Sequence, residues 1–151
     1  MKKLGKFLKV WYPALIIMVF IFIMSSFAAS DSDKQSGLVV NIIETVFPDA
    51  KNIDFLVTLV RKAAHFTEYA ILGLLVARGL KIYDKSPWFA IAICALYSAS
   101  DEFHQTFVPG RSGELRDILV DTAGATFGTA IFWLTHRTKK IQKSSNQNKN
   151  S

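Results

Sequence analysis

Cysteine is almost absent from this chain of 151 residues. Cys94 is the single one, so no disulfide can form within the molecule. The sequence also lacks a GxSxG elbow or a Cys–His pair that would indicate a nucleophile. Acidic residues are outnumbered, 12 against 18 Lys and Arg, giving a net charge of +6. These basic residues form no stripe interleaved with stacking aromatics, which argues against nucleic acid as a partner.

Apolar residues, in contrast, are abundant. They make up 50% of the chain, the mean hydropathy is +0.25, and they come in blocks separated by Lys and Arg. This pattern is typical of a multi-pass membrane protein. The sequence therefore predicts an all-α fold, a bundle of four transmembrane helices, over about 10–29, 63–80, 87–105 and 117–136. The membrane domain is then 10–136, between a basic N-terminus, 1–9, and a disordered basic tail, 137–151.

Some parts of the chain allow two interpretations. The small residues Ser25 to Ser30 after the first block could mark cleavage by signal peptidase, but the block is longer than a signal core and favours an uncleaved helix. The segment "GLVVNIIETVF" places Asn41, Glu44 and Thr45 on one stripe. It predicts a short amphipathic helix in the first outer loop, either in the membrane interface or packed on the bundle. Ser86 and Pro87 suit the N-cap and first position of the third helix.

The distribution of basic residues predicts the orientation. Cytoplasmic segments carry an excess of Lys and Arg. With both termini in the cytoplasm, 12 of the 18 basic residues lie inside. They are Lys2, Lys3, Lys6, Lys9, Arg78, Lys81, Lys85, Arg137, Lys139, Lys140, Lys143 and Lys149. The sequence thus predicts a multi-pass protein of the bacterial cytoplasmic membrane with both termini inside.

This topology brings the polar residues of three helices to one depth. The second helix carries its polar residues near its outer end, the third helix runs outward to its polar end, and the fourth begins outside. The residues concerned are His65, Glu68, Asp101, Glu102, His104, Gln105, Asp117 and Asp121. The stripe of the two aspartates continues into Gly124 and Gly128, a GxxxG motif that lets helix backbones approach closely. Ionisable residues within a membrane indicate function by default, so we predict an outward-facing polar site here.

Three kinds of site fit these residues. In an enzyme, the two histidines would act as acid–base groups oriented by the carboxylates, and Arg111 would hold a phosphate or carboxylate. In a metal site, Zn²⁺ or Mn²⁺ would be bound, although the spacings are not those of HExxH. The candidate ligands are His65, His104, Asp101 and Glu68. In a binding site without chemistry, an anionic head group would lodge at the outer leaflet. The "FVPGRSGE" loop either dips into the membrane, which would place Arg111 over the polar residues, or forms a plain outer hairpin.

The two polar segments resemble those of the VanZ-like family of small bacterial membrane proteins. The resemblance rests on "RKAAHFTEYAILG" and "SASDEFHQTFVPGRSGELRDILVDTAGATFG", in that order, and covers roughly residues 10–135. The pattern K-x-x-H-F-x-E-Y, D-E-x-H-Q-x-F-x-x-x-R, D-x-x-x-D is complete. It falls on Lys62, His65, Phe66, Glu68, Tyr69, Asp101, Glu102, His104, Gln105, Phe107, Arg111, Asp117 and Asp121.

The resemblance implies a role in the cell envelope. The family is named for an accessory protein of glycopeptide resistance that is associated with low-level teicoplanin resistance, and many relatives have no link to resistance genes. The expected ligand is a membrane lipid, a lipid-linked envelope intermediate or a lipid-tailed glycopeptide, with Lys62, Arg111 and Tyr69 as binding residues. Alternatives are a membrane-embedded hydrolase or transferase and, less favoured, a small transporter with acidic groups along a proton or cation path.

Overall fold

The chain is built from four α-helices, seen in a computed structural model that describes residues 2–26, 45, 53–109 and 113–149. In chain order they are α1 (Lys2–Ser25), α2 (Ile53–Ile82), α3 (Phe89–Gln105) and α4 (Leu115–Lys149). The described residues include no β-strand. The fold is therefore all-helical, as the sequence predicts.

Successive helices run in opposite directions. Trp11 near the start of α1 packs on Gly79 near the end of α2, so these two helices are antiparallel. Helices α1 and α3 are parallel, and the Tyr97 hydroxyl of α3 donates to the Met18 carbonyl of α1 at 2.6 Å. Helices α2 and α4 are also parallel, because Gly124 faces Phe66 and Gly128, one turn later, faces Ala70, which is also one turn later. Contacts between α2 and α4 are the most extensive in the molecule, and α3 packs mainly on α4.

Glycines allow α2 and α4 to approach closely. A Cβ atom added to Gly124 or Gly128 would overlap the backbone of α2, and for Gly128 the overlapping atom is the Ala70 carbonyl oxygen. On α2 itself, Gly73 faces the backbone of Ala125 in the same way. The GxxxG stripe of α4 therefore packs against α2, and Gly73 completes the contact from the other side.

The interior is small and its apolar part lies beside α2. The buried apolar residues are Ala14, Ile21, Tyr69, Leu72, Val76, Ala77, Ala90, Cys94 and Ala125. Many larger apolar side chains are exposed, among them Phe20, Leu96 and Leu119. A water-soluble protein would rarely expose so much apolar surface, whereas a helix bundle surrounded by lipid would.

Two of the helices are long and apolar enough to cross a membrane by length and composition. They contain the segments Phe7–Ser25 and Leu115–Arg137. The apolar part of α2 is interrupted by polar residues, including Glu68 and Arg78. The 17 residues of α3 extend about 25 Å, somewhat less than the ~30 Å of the hydrocarbon layer. A bundle with four membrane spans is thus not established by the helices alone.

The helix ends differ from the predicted ones. Helix α3 begins at Phe89, and its N-cap is Trp88 without a side-chain hydrogen bond, so Ser86 is not the cap. The chain from Ser86 enters α3 through a turn, in which the Phe89 amide donates to the Ser86 carbonyl at 3.3 Å. Helix α4 continues to Lys149, where the sequence predicted a disordered tail. Residues of high helix propensity, such as Lys and Gln, are frequent in this extension.

Asp84 ends α2 in a left-handed conformation. Its φ angle is 55°, the Lys85 amide donates to the Leu80 carbonyl at 3.0 Å, and the Asp84 amide donates to the Lys81 carbonyl at 3.1 Å. These two bonds form a Schellman motif, which satisfies carbonyls at the end of a helix. The motif turns the chain towards α3. The predicted amphipathic helix in the first outer loop lies outside the described residues except for Thr45.

Candidate functional site

Asp121 lies at the centre of the polar residues, buried between three helices. Its side chain is 1% exposed. The Ser98 hydroxyl of α3 donates to Asp121 Oδ2 at 2.6 Å. The other oxygen, Oδ1, lies 3.8 Å from Nδ1 of His65 on α2. This separation is longer than a direct hydrogen bond but places the carboxylate where it would stabilise a protonated imidazole.

Asp101 is the second buried carboxylate, one turn along α3 from Ser98. It accepts hydrogen bonds from the Ser25 hydroxyl of α1 at 2.6 Å and from the Gln105 amide at 3.1 Å. Ser25 and Gln105 are themselves buried. A carboxylate removed from water is tolerated when such donors satisfy its oxygens, so the end of α1 is part of this polar cluster.

His104 lies on the same helix but faces the end of α1. Its Nε2 atom is 3.2 Å from the Ser26 hydroxyl, and its ring packs on Phe22 with centroids 4.6 Å apart. His65 instead contacts Asp121. The two histidines therefore have separate partners in the cluster.

The beginning of α4 adds further contacts to the cluster. The Lys62 ammonium of α2 is paired with the Asp117 carboxylate. Glu102, which is buried, accepts a hydrogen bond from the Glu114 amide at 2.7 Å. Gly113 lies against the Glu102 carbonyl, where a Cβ atom would approach to 2.7 Å. Glu102 thus fixes the position at which the chain enters α4.

Glu68 and Tyr69 complete the part of the cluster contributed by α2. Glu68 is partly buried and lies one residue before Tyr69. Tyr69 is fully buried and packs on Tyr97 with ring centroids 6.2 Å apart. Within the described part of the chain, the Tyr69 hydroxyl and Asp121 Oδ1 have no hydrogen-bond partner.

Two further predictions about the site concern Arg111 and a metal ion. Arg111 and its neighbours Gly110 and Ser112 lie outside the described residues, and with them the tip of the loop predicted to cover the site. Among the described residues, no three His, Cys, Asp or Glu side chains are grouped closely enough to hold a metal ion. The candidate metal ligands, His65, His104, Asp101 and Glu68, therefore do not form such a set there.

Comparison with known proteins identifies the family. The family model described as VanZ/LLP1 matches residues 10–136, which is most of the chain. The chain belongs to the VanZ/LLP1 family. No curated protein and no solved structure matches. Together with its two long apolar helices, this membership makes the chain a VanZ-like membrane protein.

The described polar residues that carry the VanZ resemblance are gathered at one end of the bundle. Asp101, Glu102, Gln105, Asp117 and Asp121 are all buried. Among the other residues of the pattern, Phe107 is exposed, with 70% of its surface accessible. Asp101, Asp117 and Asp121 are held by hydrogen bonds or an ion pair to other helices, so the VanZ pattern here marks contacts between helices as well as a candidate site.

Three serines in this VanZ-like chain were missed by the sequence analysis. Ser98 contacts Asp121, Ser25 contacts Asp101, and Ser26 contacts His104. A signal for Ser98 was present, because it lies three residues before Asp101 and shares its helix face. No local pattern identifies Ser25 and Ser26, which resemble ordinary small residues at the end of an apolar block.

Proposed function

We propose that this protein crosses the bacterial cytoplasmic membrane four times, with both termini in the cytoplasm and the polar cluster at the outer leaflet. The support is the count of basic residues on the two sides. The shortness of α3 is compatible with a span when the turn before it is included. The envelope role implied by the resemblance fits an outward-facing site.

The cluster acts as an acid–base site, with His65 as the group that exchanges a proton with the substrate. The observation that carries this proposal is the Asp121 carboxylate facing His65 Nδ1 at 3.8 Å. Asp121 is held in turn by Ser98. At this separation the buried carboxylate makes no direct hydrogen bond to the ring, but its negative charge stabilises the protonated imidazole. The His65 side chain is 17% exposed, so substrate can reach it.

The substrate is an anionic, lipid-linked molecule of the envelope, and the reaction is a hydrolysis or group transfer. Five carboxylates in the cluster would repel an anion, so a cation must be available to it. Lys62 supplies one, because its ammonium is partly exposed and paired with Asp117. A phosphate would exchange with the Asp117 carboxylate for this ammonium, and Arg111 would add a second, bidentate donor.

Turnover by the purified protein tests this function. The protein would be reconstituted in nanodiscs with a polyprenyl phosphate or lipid II, and release of product measured. We expect His65→Gln and Asp121→Asn to lower the rate at least about 100-fold, the usual contribution of acid–base catalysis. Asp84→Asn, which makes the same chemical change at the far end of α2, serves as the control and should retain full activity.

Binding without turnover is the second candidate function, favoured by the absence of a nucleophile motif in the sequence. A lipid-tailed glycopeptide such as teicoplanin is then a ligand, and expression of the protein would raise teicoplanin tolerance in a susceptible host. Saturable binding that is weakened by Lys62→Gln, with no substrate consumed, would establish the binder and reject the enzyme. Equal rates in wild type and His65→Gln would also reject the acid–base role.

A further inference from the structure

A cavity lies at the end of the bundle opposite the polar cluster. It has a volume of about 230 Å³ and is lined by Lys81, Pro87, Phe132, Trp133, His136 and Arg137. Lys81 lies thirteen positions after Glu68 on α2, a distance of about 20 Å along the helix. The cavity is therefore a separate site, on which the proposed function of the polar cluster does not depend.

Its walls are aromatic and its rim is basic. Phe132, Trp133 and Pro87 supply the apolar surface, and Lys81 and Arg137 supply two positive charges. None of the six lining residues is acidic. An anion entering the cavity thus meets cations without a competing carboxylate in the lining, in contrast to the polar cluster at the other end.

The basic side chains are positioned by the aromatic ones. The Arg137 guanidinium lies over the Trp133 ring, 5.2 Å from its centroid. The His136 ring stacks on Phe132 at 5.3 Å with an angle of 24° between the planes. Trp133 also contacts Trp88, with centroids 6.0 Å apart. A guanidinium stacked on an aromatic ring keeps its donors free to bind a phosphate at its edge.

We propose that this cavity binds the phosphate head group of an anionic membrane lipid. Two cations beside an aromatic wall match a phosphate diester joined to an apolar tail. Tryptophans such as Trp88 and Trp133 are typical of the depth at which head groups lie, and basic pockets between membrane helices bind anionic head groups. A free phosphate would use the cations alone and leave the apolar wall without a role, so the lipid is the favoured ligand.

Retention of lipid by the intact protein tests this site. The full chain would be purified in detergent with equal amounts of phosphatidylglycerol and phosphatidylcholine, and bound lipid counted by native mass spectrometry. We expect selective retention of phosphatidylglycerol, weakened roughly 10- to 30-fold in the double variant Lys81→Gln, Arg137→Gln. This factor corresponds to about 1 kcal/mol for each basic residue near a charged lipid surface.

The matched control is the double variant Arg78→Gln, Lys85→Gln. It also removes two positive charges from this end of the bundle, but at exposed residues that do not line the cavity. It should retain phosphatidylglycerol as the wild type does. Equal loss in both double variants would overturn the site in favour of a general charge effect. Competition by soluble glycerol 3-phosphate as strong as that by the lipid would overturn the assignment to a lipid.

Discussion

Serine hydroxyl groups from neighbouring helices stabilise the buried carboxylates of this bundle. Asp121 accepts its short hydrogen bond from Ser98, and Asp101 accepts its own from Ser25. Each serine lies on a different helix from its carboxylate. Removing a donor would leave a buried carboxylate oxygen unsatisfied, which costs far more than losing a hydrogen bond at the surface.

The substitution Ser98→Ala tests this dependence. Asp121 Oδ2 would lose its donor in a buried position, so the free energy of unfolding should fall by about 1–3 kcal/mol. Ser100→Ala is the control, because the exposed Ser100 hydroxyl only bonds the Tyr97 carbonyl of its own helix. Unfolding in detergent, followed by circular dichroism, would measure both. Equal stability of the two variants would contradict a structural role for the Ser98 bond.

Residue spacing could predict only part of the cluster. Asp101 and Gln105 are four residues apart, so their shared face and their contact followed from helix geometry. The separation of the two histidines did not follow, because it depends on where α1 ends. His104 packs on Phe22 and Ser26, and the sequence carries no local sign that these residues meet across 78 positions.

At the scale of helices, the contact between α2 and α4 depends on the lack of side chains at three glycines. We expect Gly128→Ala to force these helices apart, because the new Cβ would overlap the Ala70 carbonyl oxygen. Overpacking of this kind typically costs about 1–3 kcal/mol. The loss should appear as a lower midpoint of thermal unfolding in detergent.

Gly5 provides the matched control for this prediction. The same change, Gly5→Ala, adds a Cβ atom with no other atom within 4 Å. Alanine is favoured over glycine inside a helix by roughly 0.5–1 kcal/mol, so this variant should be as stable as the wild type or slightly more stable. If Gly128→Ala behaved like Gly5→Ala, the close approach of α2 and α4 would be wrong.

The sequence predicted one packing face of the helices but not its partner, and it placed the start of α3 two residues early. The GxxxG stripe of α4 correctly indicated a packing face, but Gly73 gave no signal, since its neighbours Leu72 and Leu74 are ordinary for a membrane helix. The start of α3 was misplaced because Ser86 and Pro87 favour a helix start there, while the chain forms a turn through Trp88 first. The difference is two residues, which is within the usual variation of helix boundaries.

At the scale of the whole molecule, the proposed topology makes a prediction about reporter fusions. A reporter enzyme that is active only outside the cytoplasm should work when fused after Val108, between α3 and α4. It should be inactive when fused after Lys143, in the basic end of α4. A cytoplasmic reporter at the same two positions should give the opposite result. Activity in the reverse pattern would put the polar cluster on the cytoplasmic side.

Helix α1 packs on the rest of the bundle at both of its ends. Ser25 and Ser26 reach Asp101 and His104, and Trp11 packs on Gly79 at the other end. A cleaved signal peptide would leave the buried Asp101 carboxylate without its serine donor. These contacts therefore favour the uncleaved helix.

The parallel pairing of α2 and α4 has a consequence for biosynthesis. The two helices with the most extensive contact are separated in the chain by α3, which is synthesised between them. In the proposed four-span topology, α2 would enter the membrane first and would keep its Gly73 surface uncovered until α4 arrives. The contact between α2 and α4 can therefore form only after α4 has been synthesised, and a chain arrested after α3 would leave the Gly73 surface of α2 uncovered.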